Sequence, residues 1–251
     1  MNSPAEYADR RWNPVTGCRA DFGCWNRCWA RARAMRHREN PTIAHRERYC
    51  GFRPAYWPER LREPCRWKAR QKIATCFMGD LFAGGVLRHW QRLVFQMMIE
   101  CDRHDYMVLT KRPGEMARFF SDESPVFCAA AASIEGGGTP FEAPVRQYWP
   151  PLNVWCGTSV STQDDAIRRV PEVVGMGRYP WVSVEPILER VTLRPWIHGI
   201  RWVVVGGGNW KGAPMVKSWV EQLYHEAHDA GVAFWDKRNV LGADVKEWPT
   251  L

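Results

Sequence analysis

No stretch of this chain approaches the eighteen or so consecutive apolar residues that a membrane span requires, and its start lacks the basic, hydrophobic and small-residue order of a secretory leader. Both absences predict a cytoplasmic protein. An even, repeating cysteine framework is also missing: the 9 cysteines are irregularly spread, and thiols in a reducing compartment stay unpaired, which argues against disulfides. His104, His198, His225 and His228 follow no metal-ligand spacing. Acidic residues are scarce at one end, where residues 1–75 hold 7 Asp and Glu against 17 Lys and Arg; the remainder holds 20 against 18. The net charge of +8 therefore belongs to the N-terminal third.

What is present is concentrated there. Cys18, Cys24 and Cys28 fall within 11 residues, in a segment that Gly17, Asp21, Gly23 and Asn26 mark as loop. Their spacing lets the loop fold round one centre, and three protein thiolates leave a coordination position for something that is not protein. Arg31, Arg33, Arg36 and Arg38 follow; Arg46, Arg48, Arg53, Arg60, Arg62, Arg66 and Arg70 continue the series, with Trp25, Trp29, Trp57 and Trp67 interleaved. Arginine for phosphates with indole faces for bases is a nucleic-acid pattern. A solvated helix face with snorkelling arginines produces the same sequence.

The rest of the chain alternates. Residues 29–38 read as a helix and 49–64 as an irregular excursion. Short apolar runs at 73–78, 106–110, 153–160, 181–184 and 202–205 read as strands, with a last apolar segment at 231–235. Helices are expected at 87–101, near Met116, at 163–169 and at 214–229, and residues 121–150 form an insertion that reads as a lid or as disordered chain. Cys76 and Cys156 fall within strands. This order predicts one α/β domain over residues 1–251, a partial (β/α)6-type, TIM-like barrel with the cysteine loop at its N-terminal end. In such a barrel the chemistry sits at the carboxyl ends of the strands. Asp80, Thr110, Lys111, Ser159, Glu185 and Asn209 each follow an apolar run there; ordinary helix caps and turns would use the same residues.

A three-cysteine loop followed by a βα series resembles the radical S-adenosylmethionine (SAM) superfamily, and a set of blocks is similar to a phage-encoded branch of it. The blocks are Trp12-Asn13-Pro14-Val15-Thr16-Gly17-Cys18, Met78-Gly79-Asp80-Leu81-Phe82, Leu109-Thr110-Lys111-Arg112-Pro113, Asn153-Val154-Trp155-Cys156-Gly157-Thr158-Ser159-Val160, Val182-Ser183-Val184-Glu185-Pro186 and Val204-Val205-Gly206-Gly207-Gly208. The resemblance implies an iron-sulfur cluster loop in which Cys18, Cys24 and Cys28 hold a 4Fe-4S cluster, SAM chelates the remaining iron, and an electron yields a 5'-deoxyadenosyl radical. It implies that Gly79 leaves room for the methionine moiety, that Asp80 meets the ammonium group, that Thr110 is a further cofactor-binding residue, and that Ser159 and Glu185 bind ribose hydroxyls or amino groups. Gly206 and Gly207 would lie against adenine, Asn209 near ribose or substrate, and Lys111 at a carboxylate or phosphate. Arg27 stands where an aromatic usually meets adenine, so Trp25 or Trp29 would take that contact.

The same resemblance implies an isomerase-type rearrangement of a modified thymine in phage DNA (thymidine hypermodification), in a bacterial host cell during infection. Its substrate would be DNA or a modified nucleotide, and its reductant a protein such as flavodoxin or ferredoxin. Two other readings stay open. One is a zinc-dependent βα-barrel hydrolase with His37 or His45 as an additional ligand. The other is a non-catalytic nucleic-acid-binding protein with a zinc knuckle.

Overall fold

The chain enters through β1 (Arg10–Trp12) and makes a small antiparallel pair, β2 (Val15–Thr16) with β3 (Ala55–Tyr56), around a lobe that holds the cysteine loop, α1 (Trp29–Glu39) and a 3-10 stretch at 46–52. After α2 (Pro58–Leu61) it settles into strict alternation: β4 (Lys72–Thr75), α3 (Arg88–Glu100), β5 (Asp105–Thr110), α4 (Pro113–Ser133), β6 (Val154–Val160), α5 (Gln163–Gly175), β7 (Trp181–Val184), β8 (Trp202–Val205), α6 (Lys217–Asp229) and β9 (Ala233–Asp236). This computed structural model describes residues 5–19, 24–133, 149–176, 179–208 and 210–249. Seven strands pair in parallel in the order β1-β4-β5-β6-β7-β8-β9 and curl into a half-barrel. The expected α/β partial barrel is what forms, with seven strands where the sequence predicts six.

The strands are readable because both of their faces are covered. All seven residues of β6 are buried, as parallel strands flanked by helices require. Outward-facing Ile73, Tyr106, Val108, Val154 and Cys156 pack with Val94, Phe95 and Met98 of α3 and Phe119 of α4. Inward-facing Ala74, Met107, Trp155, Trp181, Trp202 and Val204 form a second layer, on which the N-terminal segment lays Ala5 and Tyr7. Tyr7 meets Trp181, Trp202 and Trp235 edge-on at 5.0–6.0 Å between centroids, and Trp235 donates to Glu6 Oε1 at 3.1 Å. Residues 5–9 thus strap the concave face from β9 to β4, where Asp9 and Lys72 exchange hydrogen bonds.

Gly157 makes this aromatic filling possible, because a Cβ on it would stand 2.2 Å from the Trp181 indole. Gly157→Ala is expected to cost about 1–3 kcal/mol by overpacking, read as a lowered urea midpoint at unchanged slope.

The strand expected at 73–78 is β4, Lys72–Thr75, which leaves Cys76 in the bend beyond it, and three further expectations change. The short helix near Met116 is α4, 21 residues long, so residues 121–133 are helical rather than part of a loose insertion; 134–148 lie outside the described residues. α5 continues past Arg169 to Gly175 with Pro171 inside it. Cys65 and Cys101 form a disulfide across 36 residues of sequence, against the expectation of unpaired thiols. Packing of the 3-10 turn at 64–66 against the end of α3 brings their Cα atoms to 5.5 Å. The compartment argument carried no information about that proximity.

In the lobe Trp57 is not a base platform. Trp57 is fully buried, donates to Thr16 Oγ1 at 2.8 Å, and lies under the guanidinium groups of Arg48 and Arg60 at 5.1 and 3.8 Å. Trp29 and Trp67 are half-buried. No helix among the described residues is long and apolar enough to cross a membrane.

Candidate functional site at the carboxyl rim

The first two sequence blocks are two sides of one junction. Gly17 and Gly79 form a parallel bridge in which Gly17 N–H donates to Met78 O at 3.0 Å and Asp80 N–H donates to Gly17 O at 3.2 Å. The Asn13 side chain accepts from Met78 N–H at 2.9 Å. Only glycine fits on either side. A Cβ on Gly79 would lie 2.2 Å from Gly17 O, and one on Gly17, whose φ is +87°, would lie 2.0 Å from Arg53 O. On the side where a Cβ would stand, Gly79 meets the chain's own backbone. Cys18, next along, is fixed by its N–H to Phe52 O at 2.9 Å.

Asp80 is already saturated. Its Oδ1 accepts from Thr110 Oγ1 at 2.7 Å and Phe82 N–H at 2.9 Å, and its Oδ2 accepts from Lys111 N–H at 3.1 Å and Arg112 at 3.0 Å. Thr110 is buried and also accepts from Arg112 N–H. Both residues act here as a brace between the ends of β4 and β5. The same Arg112 nitrogen that meets Asp80 lies 3.6 Å from Cys18 Sγ, and the Arg112 and Asp80 side chains are 9% and 8% exposed. Burial pushes the Cys18 thiol up to about 11, Asp80 adding to the rise and Arg112 opposing it. Burial also raises the Cys28 thiol, opposed by the Arg31 N–H that points at its sulfur from the first turn of α1.

The two described ends of the cysteine loop meet the rim at separate points. Cys18 touches the β5 end through Arg112, while Arg27, just before Cys28, lies over the Trp210 ring beyond β8 at 5.0 Å. Between them, Glu185 at the end of β7 accepts from Lys237 Nζ through both carboxylate oxygens, at 2.5 and 2.7 Å, and Lys237 is only 6% exposed. A Cβ on Gly206 would lie 2.9 Å from that carboxylate and one on Gly207 3.0 Å from Met215 Sδ, so both glycines make room for side chains of the rim itself. Ser159, 6% exposed, donates to Glu185 O at 3.1 Å. Arg169 reaches back from α5 to Ser159 O at 2.7 Å, and its guanidinium is in the electrostatic field of Cys24 and Asp80. Lys111 makes no side-chain hydrogen bond or ion pair among the described residues and faces the field of Cys28. Asn209 lies outside the described residues.

The structure therefore brings Cys18, Cys28, Trp29, Asp80, Thr110, Lys111, Ser159, Glu185, Gly206 and Gly207 to one rim, with Cys24 exposed at its edge. Sequence reasoning missed Arg112, Arg169 and Lys237. Arg112 and Lys237 lie within two residues of strand ends, the signal that selected Lys111; Arg169 lies within a helix and had no such signal.

Among the described residues no three His, Cys, Asp or Glu side chains converge as a ready-made metal site, and loop residues 20–23 are outside them. The donor set suits an iron-sulfur cluster all the same. Cys18 and Cys28 pack in one group with Trp29 and Met78, Cys24 acts electrostatically on Cys28, and N–H groups point at two of the sulfurs. A cluster takes one thiolate per iron, so it needs three sulfurs around a shared space rather than at one point. His37 suits the zinc alternative poorly, since at about 1.5 Å per residue it stands roughly 13 Å along α1 from Cys28. His45 is exposed and 3.6 Å from Glu47.

A parallel half-barrel whose strand ends are tied by buried charges beside Cys18 and Cys28 defines an α/β protein with its candidate chemistry at the carboxyl rim. The chain belongs to the DUF5131 family, described as proteins of unknown function, whose model matches residues 2–243. No curated protein and no solved structure matches the chain.

Proposed function

We propose that this chain is a radical SAM enzyme acting on a nucleobase, with a modified thymine of phage DNA as the leading substrate and an isomerase-type rearrangement as the reaction. One observation carries the reading: the two described ends of the three-cysteine loop stand at the carboxyl rim of a parallel half-barrel, the first anchored at Gly17–Gly79 with Cys18 beside Arg112, the second with Arg27 over Trp210. That rim is where barrel folds do their chemistry. Cys18, Cys24 and Cys28 would hold the 4Fe-4S cluster. With SAM bound, the group supplies one-electron cleavage of a sulfur–carbon bond and hydrogen abstraction from substrate.

The chain's own residues supply position and charge. Arg112 offers an N–H to Cys18 and neutralises Asp80 behind it. Cys28 caps α1, where the helix end favours negative charge on sulfur. Lys111 is the rim cation available to a carboxylate or phosphate, whereas Asp80 and Glu185 already hold internal cations. An ammonium group entering the site would have to compete with Arg112 or Lys237 for them. The electron would come from a partner such as flavodoxin or ferredoxin, in the cytoplasm of an infected bacterium.

Anaerobic reconstitution with iron and sulfide tests the reading on the wild type and Cys24→Ala. The expected wild type is brown, binds about four irons per chain, changes its reduced EPR signal on adding SAM, and releases 5'-deoxyadenosine. Cys24→Ala is expected to release none above background while keeping the wild-type circular dichroism melt. A colourless wild type carrying stoichiometric zinc overturns the reading.

A further inference from the structure

Residues 29–70 hold 12 Lys and Arg against 4 Glu, while the rest of the chain is balanced at 23 against 23. The whole net charge of the protein is therefore carried by one lobe. Internal pairing uses part of it: Arg48 with Glu59, Arg62 with Glu100 and Arg70 with Asp105. Arg36, Arg38, Arg46 and Arg53 are exposed and make no ion pair among the described residues. Glu39 and Glu47 line a groove with Arg38 and Arg46, and they are already counted in that excess.

The lobe offers charge and little else. Tyr49, Phe52 and Trp57 face inward at 3%, 2% and 0% exposure, and Trp29, Tyr56 and Trp67 are half-buried. The large exposed apolar side chains of the described residues are Leu87, Leu152, Ile167, Leu188 and Val216, all outside the lobe. A folded protein partner would need buried apolar or aromatic anchors, and an anionic membrane would need an exposed apolar stripe. The buried residues of α1 are only Ala30 and Ala34. Single-stranded nucleic acid would need stacking platforms. A surface with free arginines, no large exposed apolar side chain and no fully exposed Trp, Tyr or Phe ring among the described residues fits the regular phosphates of a duplex.

We propose that this lobe docks duplex DNA through its phosphate backbone, with Arg36, Arg38, Arg46 and Arg53 as contacts, so that the nucleobase arrives as part of a polymer. The position is right for delivery: Cys18 and Cys28 pack against the same apolar group as Ala30, Ala34, Tyr49 and Phe52, and the Arg53 carbonyl abuts Gly17. That a nucleobase is the target rests on the function proposed above; that the lobe binds duplex does not.

The test is fluorescence anisotropy with a labelled 20-base-pair duplex across a salt series, on the protein as isolated, without SAM or reductant. Three proteins are compared: wild type, Arg36→Gln/Arg38→Gln/Arg46→Gln/Arg53→Gln, and a control with Arg103, Arg168, Arg194 and Arg201 changed to Gln. Equal melting temperatures confirm that all three fold. Loss of four phosphate contacts is expected to flatten the log–log salt slope by about 3–4 and to weaken binding by roughly 100-fold or more at low salt in the lobe variant, the control staying within about threefold of wild type. Equal losses in both variants, tighter binding to a single strand of the same sequence, or no binding to duplex by wild type would overturn the proposal. A protein that binds duplex through the lobe yet carries no cluster would sink the radical reading alone.

Discussion

Gly79→Ala is expected to lower the melting temperature by roughly 5–12 °C, corresponding to about 2–4 kcal/mol for a chain of this size. The new Cβ would stand 2.2 Å from Gly17 O and 2.6 Å from Gly17 N. Those are backbone atoms, held from the far side by the Arg53 carbonyl, so no side chain can swing away to relieve the contact. The junction must open, and with it go the Gly17–Met78 and Asp80–Gly17 hydrogen bonds that set where Cys18 begins. Gly175→Ala is the matched control: it sits at the end of α5 with nothing within 4 Å of an added Cβ, and is expected to change stability by less than about 1 kcal/mol. Differential scanning calorimetry of the two variants reads the contrast. A Gly79→Ala protein that melts with wild type would mean the bridge is slack.

Arg112→Met should be comparably damaging, by about 3–5 kcal/mol, because it strands the Asp80 carboxylate in a site with 8% exposure. Adding Asp80→Asn to that variant removes the uncompensated charge and is expected to recover a large part of the loss. The urea unfolding cycle over wild type, both single variants and the double should give a coupling of at least about 1 kcal/mol. Additive losses would show that the two groups are neighbours without being partners. Arg112→Lys is a sharper probe, since an ammonium on a flexible stem lacks the rigid planar fork that holds one guanidinium nitrogen against Asp80 and Cys18 together.

The elements legible in the sequence are those whose own composition determines them. Trp181–Val184 and Trp202–Val205 appear at their expected bounds because each is a short apolar run closed by turn residues and buried on both sides. β1 was not legible: its three residues include Arg10 and Arg11, exposed, and it is a strand only because β4 offers an edge to pair with. The second half of α4 was hidden by Ser121-Asp122-Glu123-Ser124-Pro125, a loop-like run in isolation, yet Glu123 is buried and holds Arg92 from α3. Strand-end reasoning found most of the rim residues. It could not say that Asp80, Ser159 and Glu185 are occupied by one another's neighbours, since Lys237 lies 52 residues beyond its carboxylate partner and Arg112 lies 32 beyond Asp80.

The strap of residues 5–9 across the concave face has a consequence in time. Glu6 and Trp235 are 229 residues apart in the chain, so at about 5–20 residues per second the strap waits roughly 10–50 s on the ribosome for the strand it must meet. Until β9 emerges, the indoles of Trp155, Trp181 and Trp202 have no complete cover. The half-barrel is sealed by almost the first residues described and almost the last, and the interval between them is when the nascent protein has most need of a chaperone.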